Sequence, residues 1–314
     1  MSNDIDFSVV LCTYNGEKYL PEQLGSILTQ SYLPKELVVC DDGSKDSTLE
    51  ILKEYKEKAP FDVRIYLNET NLGFVKNFEK ACCNAQYQYV VFCDQDDYWE
   101  NNKLERFAQT INEYKDVEMI FSNAKLFGEV TGDQTLWEKV GFGKKERRKF
   151  QKNRFSFLLN HWVVTGATVV CKKSLIDYAV PFSLKFAHDE WLALMAANRN
   201  TIIELDEILT NYRIHSSQQI GVKEVADAGY KTNLIIAIER MEIILNKLRE
   251  DAHNNEKNIG ILNGFKSYYE KRLRMCGENV ISRFFMSFSS LIKGEHHAYT
   301  DKPFRAFIGC IIRH

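Results

Sequence analysis

At 314 residues, with 45% hydrophobic and 27% charged side chains, the chain has the composition of a folded protein, large enough for one big domain or a domain with an appendage, and global disorder is excluded. The formal net charge is −2, divided into an acidic front, with 26 Lys and Arg against 32 Asp and Glu over residues 1–220, and a basic tail, with 15 against 11 over 221–314. No basic stripe interleaved with aromatics crosses the front, which excludes nucleic acid as an expected partner.

The elements read in chain order as alternating strands and helices. The polar start Met1-Ser2-Asn3-Asp4 lacks the basic and apolar regions of a secretory signal and leads into a strand over Phe7 to Cys12. That strand ends at the turn Thr13-Tyr14-Asn15-Gly16, and Leu20, Leu24, Ile27 and Leu28 follow at helical spacing. A second strand, Glu36 to Cys40, ends at Asp41-Asp42-Gly43-Ser44 before a helix through Leu49, Leu52 and Tyr55. A third covers Val63 to Leu67, with a helix carrying Phe74, Phe78 and Ala81 beyond Gly73. The fourth, Tyr89 to Cys93, ends at Asp94-Gln95-Asp96-Asp97. Further on, Met119 to Phe121 and Ala167 to Val170 read as strands, Gly141 to Lys152 as an exposed loop, Trp191 to Asn198 as a helix, and 230–275 as helical with a break near 251–255.

Strands alternating with helices predict an α/β protein with a mostly parallel sheet flanked by helices, followed by a C-terminal helical extension. The expected division is 1–221 and 222–314. In such sheets the carboxyl ends of the strands share one edge, where ligands bind. Thr13 to Asn15, Asp41-Asp42 and Asp94 to Asp97 all sit at those ends. Three acids within four positions repel one another unless a cation compensates them, and hard ions such as Mg²⁺ or Mn²⁺ take oxygen ligands and bridge to phosphates. A phosphorylated ligand is therefore expected.

No segment reaches the ~20 consecutive apolar residues of a spanning helix. The eight cysteines include no CxxC pair, and Cys12, Cys40 and Cys93 fall in predicted buried strands, so a reduced, cytoplasmic protein is expected. The tail carries two amphipathic segments. Phe284, Phe285, Phe288, Leu291 and Ile292 share one side of 283–293, and Phe304, Phe307, Ile308, Ile311 and Ile312 are spaced as a helix near Lys302, Arg305 and Arg313. Such segments lie in a membrane interface, here the inner face of the plasma membrane, or pack on their own protein or on a second copy in a homo-oligomer.

The strand-end motifs, together with Asn71-Leu72-Gly73, Thr165-Gly166-Ala167 and His188-Asp189-Glu190-Trp191, resemble in order and spacing the inverting glycosyltransferases of family 2, which have the GT-A type of fold. The stretch Tyr212-Arg213-Ile214-His215-Ser216-Ser217-Gln218-Gln219-Ile220-Gly221 further resembles their bacterial rhamnosyltransferase-like branch. The resemblance covers about residues 7–221 and implies a nucleotide-diphosphate sugar donor, dTDP- or UDP-linked, and a glycan or lipid-linked acceptor. It implies that Asp42 accepts the imide N–H of uracil or thymine and that Thr13, Tyr14 and Asn15 line the base and ribose. Asp94-Gln95-Asp96 corresponds to the family's DxD motif, with Asp96 a ligand of Mn²⁺ or Mg²⁺ and Asp94 on the ribose or a metal-bound water.

The same resemblance makes Asp189 the general base for the acceptor hydroxyl, with Glu190 its competitor, and gives Gly166 a place at the junction of donor and acceptor. His215 is either a further metal ligand or an exposed loop residue, and Lys76 either meets a phosphate or is solvated. Asp97 is either part of the acidic site or the cap of a helix beginning near Asn101. Trp191 either stacks on a sugar or belongs to the core. The reading that follows is a metal-dependent hexosyltransferase acting on a surface glycan. A silent glycan-binding or scaffold protein on the same fold is the alternative. A sugar-1-phosphate nucleotidyltransferase is disfavoured because Thr13-Tyr14-Asn15-Gly16-Glu17 is acidic and poor in glycine.

Overall fold

A computed structural model describes residues 5–129, 133–216, 229–250, 255–300 and 303–312. The chain divides into two compact units, Met1–Arg154 with Trp162–Gly221, and Phe155–His161 with Val222–His314. The expected division at 221/222, the end of the Tyr212 motif at 217–221, most of the break expected near 251–255, Lys302 and Arg313 lie outside the described residues.

The first unit is built on eight strands: β1 (Phe7–Thr13), β2 (Glu36–Asp41), β3 (Asp62–Leu67), β4 (Tyr89–Cys93), β5 (Tyr98–Trp99), β6 (Met119–Gly128), β7 (Val169–Lys172) and β8 (Ile202–Ile214). They form one sheet in the order β3-β2-β1-β4-β7-β6-β8-β5. β3, β2, β1 and β4 are mutually parallel, β7 runs antiparallel to both β4 and β6, and β6 pairs in parallel with β8. The carboxyl ends of β1, β2, β4, β6 and β8 therefore share an edge with the amino end of β7.

β1, β2 and β4 are buried on both faces, which is why they read as near-continuous apolar runs. Phe7, Val9, Leu11, Leu37, Val39 and Val91 form one face of the core, with Leu20, Leu24 and Ile27 of the helix Leu20–Leu28 and Phe107 of the helix Lys103–Glu113. Alternate residues, including Phe92, face the helix Phe74–Asn84, whose Phe78 packs on Phe92 at a ring separation of 5.7 Å.

Three local expectations are corrected. Residues 141–152 are not a loop: Lys144–Lys152 is a helix whose Phe150 is wholly buried against Phe121 and Phe142. Its Lys and Arg residues hide a single deep anchor. The predicted strand at Ala167 begins as a short 3₁₀ turn, Gly166–Thr168, with β7 following. The long β8 was not expected, because its burial is uneven along the strand and shows no clean alternation.

In the second unit, the helices Tyr230–Arg249 and Glu256–Met275 pack together. Arg272 lies over the rings of Tyr230 and Tyr268 and bonds the Tyr230 hydroxyl at 3.0 Å. The helices Val280–Ile292 and Pro303–Ile312 pack on each other, with the short helix Glu295–Ala298 between them in sequence. Among the described residues no helix is long and apolar enough to cross a membrane. All eight cysteines are free thiols; Cys83, near the end of the helix Phe74–Asn84, is exposed, Cys12 and Cys276 are half-buried, and the others are buried.

Candidate active site

The common edge brings the motif residues together because each ends or precedes a strand there. At the β1 and β2 tips, the buried Asp41 accepts the Thr13 hydroxyl at 2.8 Å and the Ser44 hydroxyl at 2.5 Å, plus the Gly43 and Ser44 amides. Asp41 therefore builds the turn rather than meeting a ligand. Asn15, with φ +49°, accepts the Lys45 amide on its side-chain oxygen at 2.8 Å and donates its own amide to Ser44 Oγ at 2.9 Å. It ties the two tips together.

Asp42 does a different job. Its carboxylate accepts Asn68 Nδ2 at 2.7 Å, the Leu72 amide at 2.8 Å and the Gly73 amide at 2.9 Å, which folds the loop after β3 over the tip of β2. Three of its roughly four acceptor positions are filled, leaving one on Oδ2. The tip of β1 is joined to the acidic loop by a reciprocal pair: the Tyr14 amide donates to Gln95 Oε1 at 2.9 Å, and Gln95 Nε2 donates to the Tyr14 carbonyl at 3.2 Å.

The acidic loop after β4 is stabilised from beneath. Lys103 is completely buried; its ammonium donates to the Ala167 carbonyl at 2.6 Å and to Thr210 Oγ1 at 2.9 Å, and lies 3.9 Å from the centre of the Trp99 ring. Burial pushes its pKa down to about 7, against the opposing pull of Cys93, Asp97 and Asp94. Asp94 is pushed up to about 7 by burial, with Asp96 and Asp189 adding to the shift and Lys103 opposing it. Asp97 accepts the Arg213 amide at 2.9 Å on Oδ1, while its buried Oδ2 has no partner. It does not cap the following helix, whose N-cap is Asn102.

Asp96 meets His215, which follows the end of β8, with Oδ2 2.8 Å from Nε2. Arg213 reinforces this corner, donating from Nε to the Asp96 carbonyl at 2.7 Å, pairing with Glu22, and stacking over Tyr19 and Phe127. A carboxylate and an imidazole converging in this way suit Mn²⁺ or Mg²⁺. The residues present fit such an ion. Among the described residues no set of three His, Cys, Asp or Glu side chains gathers as a ligand group.

Asp189 opens the helix His188–Asn198 and turns back to the amino end of β7. Oδ2 accepts the Gly166 amide at 2.7 Å and Oδ1 the Glu190 amide at 2.8 Å. Burial nevertheless pushes its pKa up to about 6. Glu190 is half-buried and more open to solvent. Beneath them His188 stacks between Phe78 and Phe92 at ring separations of 4.1 and 5.3 Å, with neither nitrogen hydrogen-bonded, and burial pushes its pKa down to about 3. A Cβ on Gly166 would stand 2.7 Å from His188 Nε2. Only glycine fits there.

Lys76 and Trp191, each open to two readings from the sequence, are held by structural contacts. The Lys76 ammonium is engaged by Glu79 at 2.8 Å and the Phe182 carbonyl at 3.0 Å, so it fastens the 181–182 segment to its helix instead of facing a phosphate. Trp191 belongs to the core, donating to the Ala179 carbonyl at 2.8 Å and packing on Phe186. Lys103 and Arg213 were not singled out from sequence. Lys103 left one signal: a cation in the first turn of a helix opposes the helix dipole and so needs an acidic neighbour.

The family model for glycosyl transferase family 2 matches residues 8–178, which hold every strand of this edge except β8. The chain belongs to that family. This family-2 glycosyltransferase is 26% identical over 221 residues to the UDP-Glc:alpha-D-GlcNAc-diphosphoundecaprenol beta-1,3-glucosyltransferase WfgD of Escherichia coli, covering 68% of this chain and 79% of WfgD. It is 26% identical over 264 residues to the dTDP-rhamnosyl transferase RfbG of Shigella flexneri, covering 79% and 87%. In fold it is similar to residues 1–349 of S. aureus TarS, solved with UDP-GlcNAc, at a TM-score of 0.61 and 22% identity, covering 98% of this chain and 82% of that one. The fold of the transferase is thus the GT-A type.

Proposed function

We propose that this family-2 enzyme transfers rhamnose or another hexose from a dTDP- or UDP-sugar to a hydroxyl of a surface polysaccharide or lipid-linked glycan, with inversion and with the help of a divalent cation. The observation that carries this reading is Asp189. A buried carboxylate, anchored by the Gly166 amide and close enough to Asp94 to raise its pKa, joins a base to an acidic phosphate-facing tip on one sheet edge. The relatives named for UDP-glucose and dTDP-rhamnose support a pyrimidine donor, because uracil and thymine offer the same imide edge.

In this mechanism Asp189 takes the proton of the acceptor hydroxyl as its oxygen attacks the anomeric carbon. The new C–O bond forms on the face opposite the phosphate, and the bond to the diphosphate breaks with its electrons leaving on oxygen. A base with pKa near 6 is ionised at neutral pH yet basic enough to share the proton in the transition state. Asp42 and the Thr13 to Asn15 turn hold the nucleoside, and Asp94 orients the ribose. Asp96 and His215 would hold a Mn²⁺ or Mg²⁺, which would supply Lewis-acid neutralisation of the charge on the diphosphate.

The test is thermal stabilisation and nucleotide release with UDP-, dTDP- and GDP-sugars, with Mn²⁺ or Mg²⁺ and then EDTA, in the native chain and in Asp96→Ala. A uridine or thymidine donor should act in a metal-dependent way that the variant loses. A response unchanged by EDTA would remove the cation from the reading. No response to any nucleotide would overturn it.

A further inference from the structure

The helix Val280–Ile292 is built inside out. Its buried residues are Arg283, Ser287 and Ser290, while Ile281, Phe285 and Ile292 are 71%, 65% and 72% exposed. On the inward side Ser287 is bonded within the unit: its Oγ donates to the Phe307 carbonyl at 3.2 Å and lies 3.2 Å from Nε2 of His296, a ring whose Nδ1 meets the Tyr268 hydroxyl at 2.8 Å. The outward side is apolar. Phe284 and Phe288 stack on it at 6.0 Å, and Pro303–Ile312 extends it, with Phe307 edge-on to Phe284 at 6.3 Å and Phe304 70% exposed. A contiguous apolar face over two helices exceeds the scattered exposed side chains of ordinary monomers and marks a docking surface.

Charge selects the occupant. Along residues 279–300 and 303–312 the exposed charged or titratable side chains are Lys293, His297 and Arg305, and the one acid, Glu295, is half-buried and paired with Lys271 at 3.0 Å. Two copies pairing through this face would bring like charges together, since a two-fold interface apposes the same patch on both subunits. A bilayer carrying anionic lipid complements the apolar face and its basic rim at once. Helices of 13 and 10 residues cannot span it but are long enough to lie within its interface. We propose that this face of the second unit seats the protein on an anionic membrane surface, with Phe285, Ile281, Ile292 and Phe304 entering the acyl boundary and Lys293 and Arg305 at the headgroups.

The test uses the full chain in co-sedimentation with vesicles of phosphatidylcholine alone and of phosphatidylcholine mixed with phosphatidylglycerol. Tighter binding to the mixed vesicles is expected, weakening as salt is raised. Phe285→Ser combined with Phe304→Ser should cut binding to the mixed vesicles at least about tenfold. Lys293→Glu with Arg305→Glu should abolish the preference for anionic lipid. Both variants alter exposed residues, so unchanged circular dichroism and thermal unfolding check the fold. Failure of the native chain to bind either vesicle overturns the proposal. So does a concentration-dependent dimer that the serine pair dissociates, which would make a second copy the occupant.

Discussion

In the proposed mechanism Asp189 is the single side chain that would set the working pH. Burial raises its pKa to about 6, so as a base it is ionised above that value and protonated below it. Transfer at limiting substrate should therefore fall about tenfold per pH unit below about pH 6. Asp189→Asn should lower kcat by ~10²–10⁴ with donor affinity kept, and its residual rate should lose that acid limb. Equal kcat in the variant would pass the role to Glu190. Lys103 works by a different route, opposing the upward pKa shifts of Asp94 and Asp97 from within the core and donating to the carbonyl of Ala167, the residue after the Gly166 whose amide anchors Asp189. Lys103→Met removes one of that carbonyl's donors, the Thr210 hydroxyl at 3.2 Å being another, and should cost about 1–3 kcal/mol in denaturant unfolding. The acids at the strand tips could be picked out from sequence because each directly follows an apolar run. The divided labour of Asp41, the turn builder, and Asp42, the loop anchor, could not be, since both follow the same strand and only their partners differ.

At the scale of elements, the site depends on β7 running against its neighbours. Its amino end, with the turn Gly166–Thr168, lies on the edge where the other strands finish. The helix His188–Asn198 packs beneath that turn so closely that a methyl group at 166 would collide with the His188 ring. Gly166→Ala should thus destabilise the protein by about 1–3 kcal/mol and reduce activity. Adding His188→Ala should recover part of the loss, read as non-additivity in a double-mutant cycle. Strands β1, β2 and β4 were legible from their double-sided burial. The direction of β7 was not, because a four-residue strand carries no mark of which neighbour it will join. The helix Lys144–Lys152 escaped notice for a related reason: its one buried anchor, Phe150, cannot make a periodic pattern by itself.

On the scale of the whole molecule, the candidate site and the proposed membrane face reside in separate compact units. The sheet edge belongs to the first, and the inverted apolar face to the second. The tail's apolar spacing was readable in the sequence, but its outward orientation was not. Nothing in the periodicity of 280–292 reveals that serines and an arginine are the residues turned inward. The thiols carry a practical consequence. Cys83 is the one exposed cysteine among the described residues, and partial burial raises its pKa, as burial does for Cys12, Cys40, Cys82, Cys93 and Cys171. It sits at the far end of the helix Phe74–Asn84, just ahead of β4, on the side of the sheet away from the strand tips. A maleimide reagent at mildly alkaline pH should modify Cys83 first, as peptide mass mapping would show, and leave nucleotide binding intact. The native chain thus carries its own attachment point for a fluorophore or a surface tether, and its donor encounters can be followed one molecule at a time without engineering a cysteine.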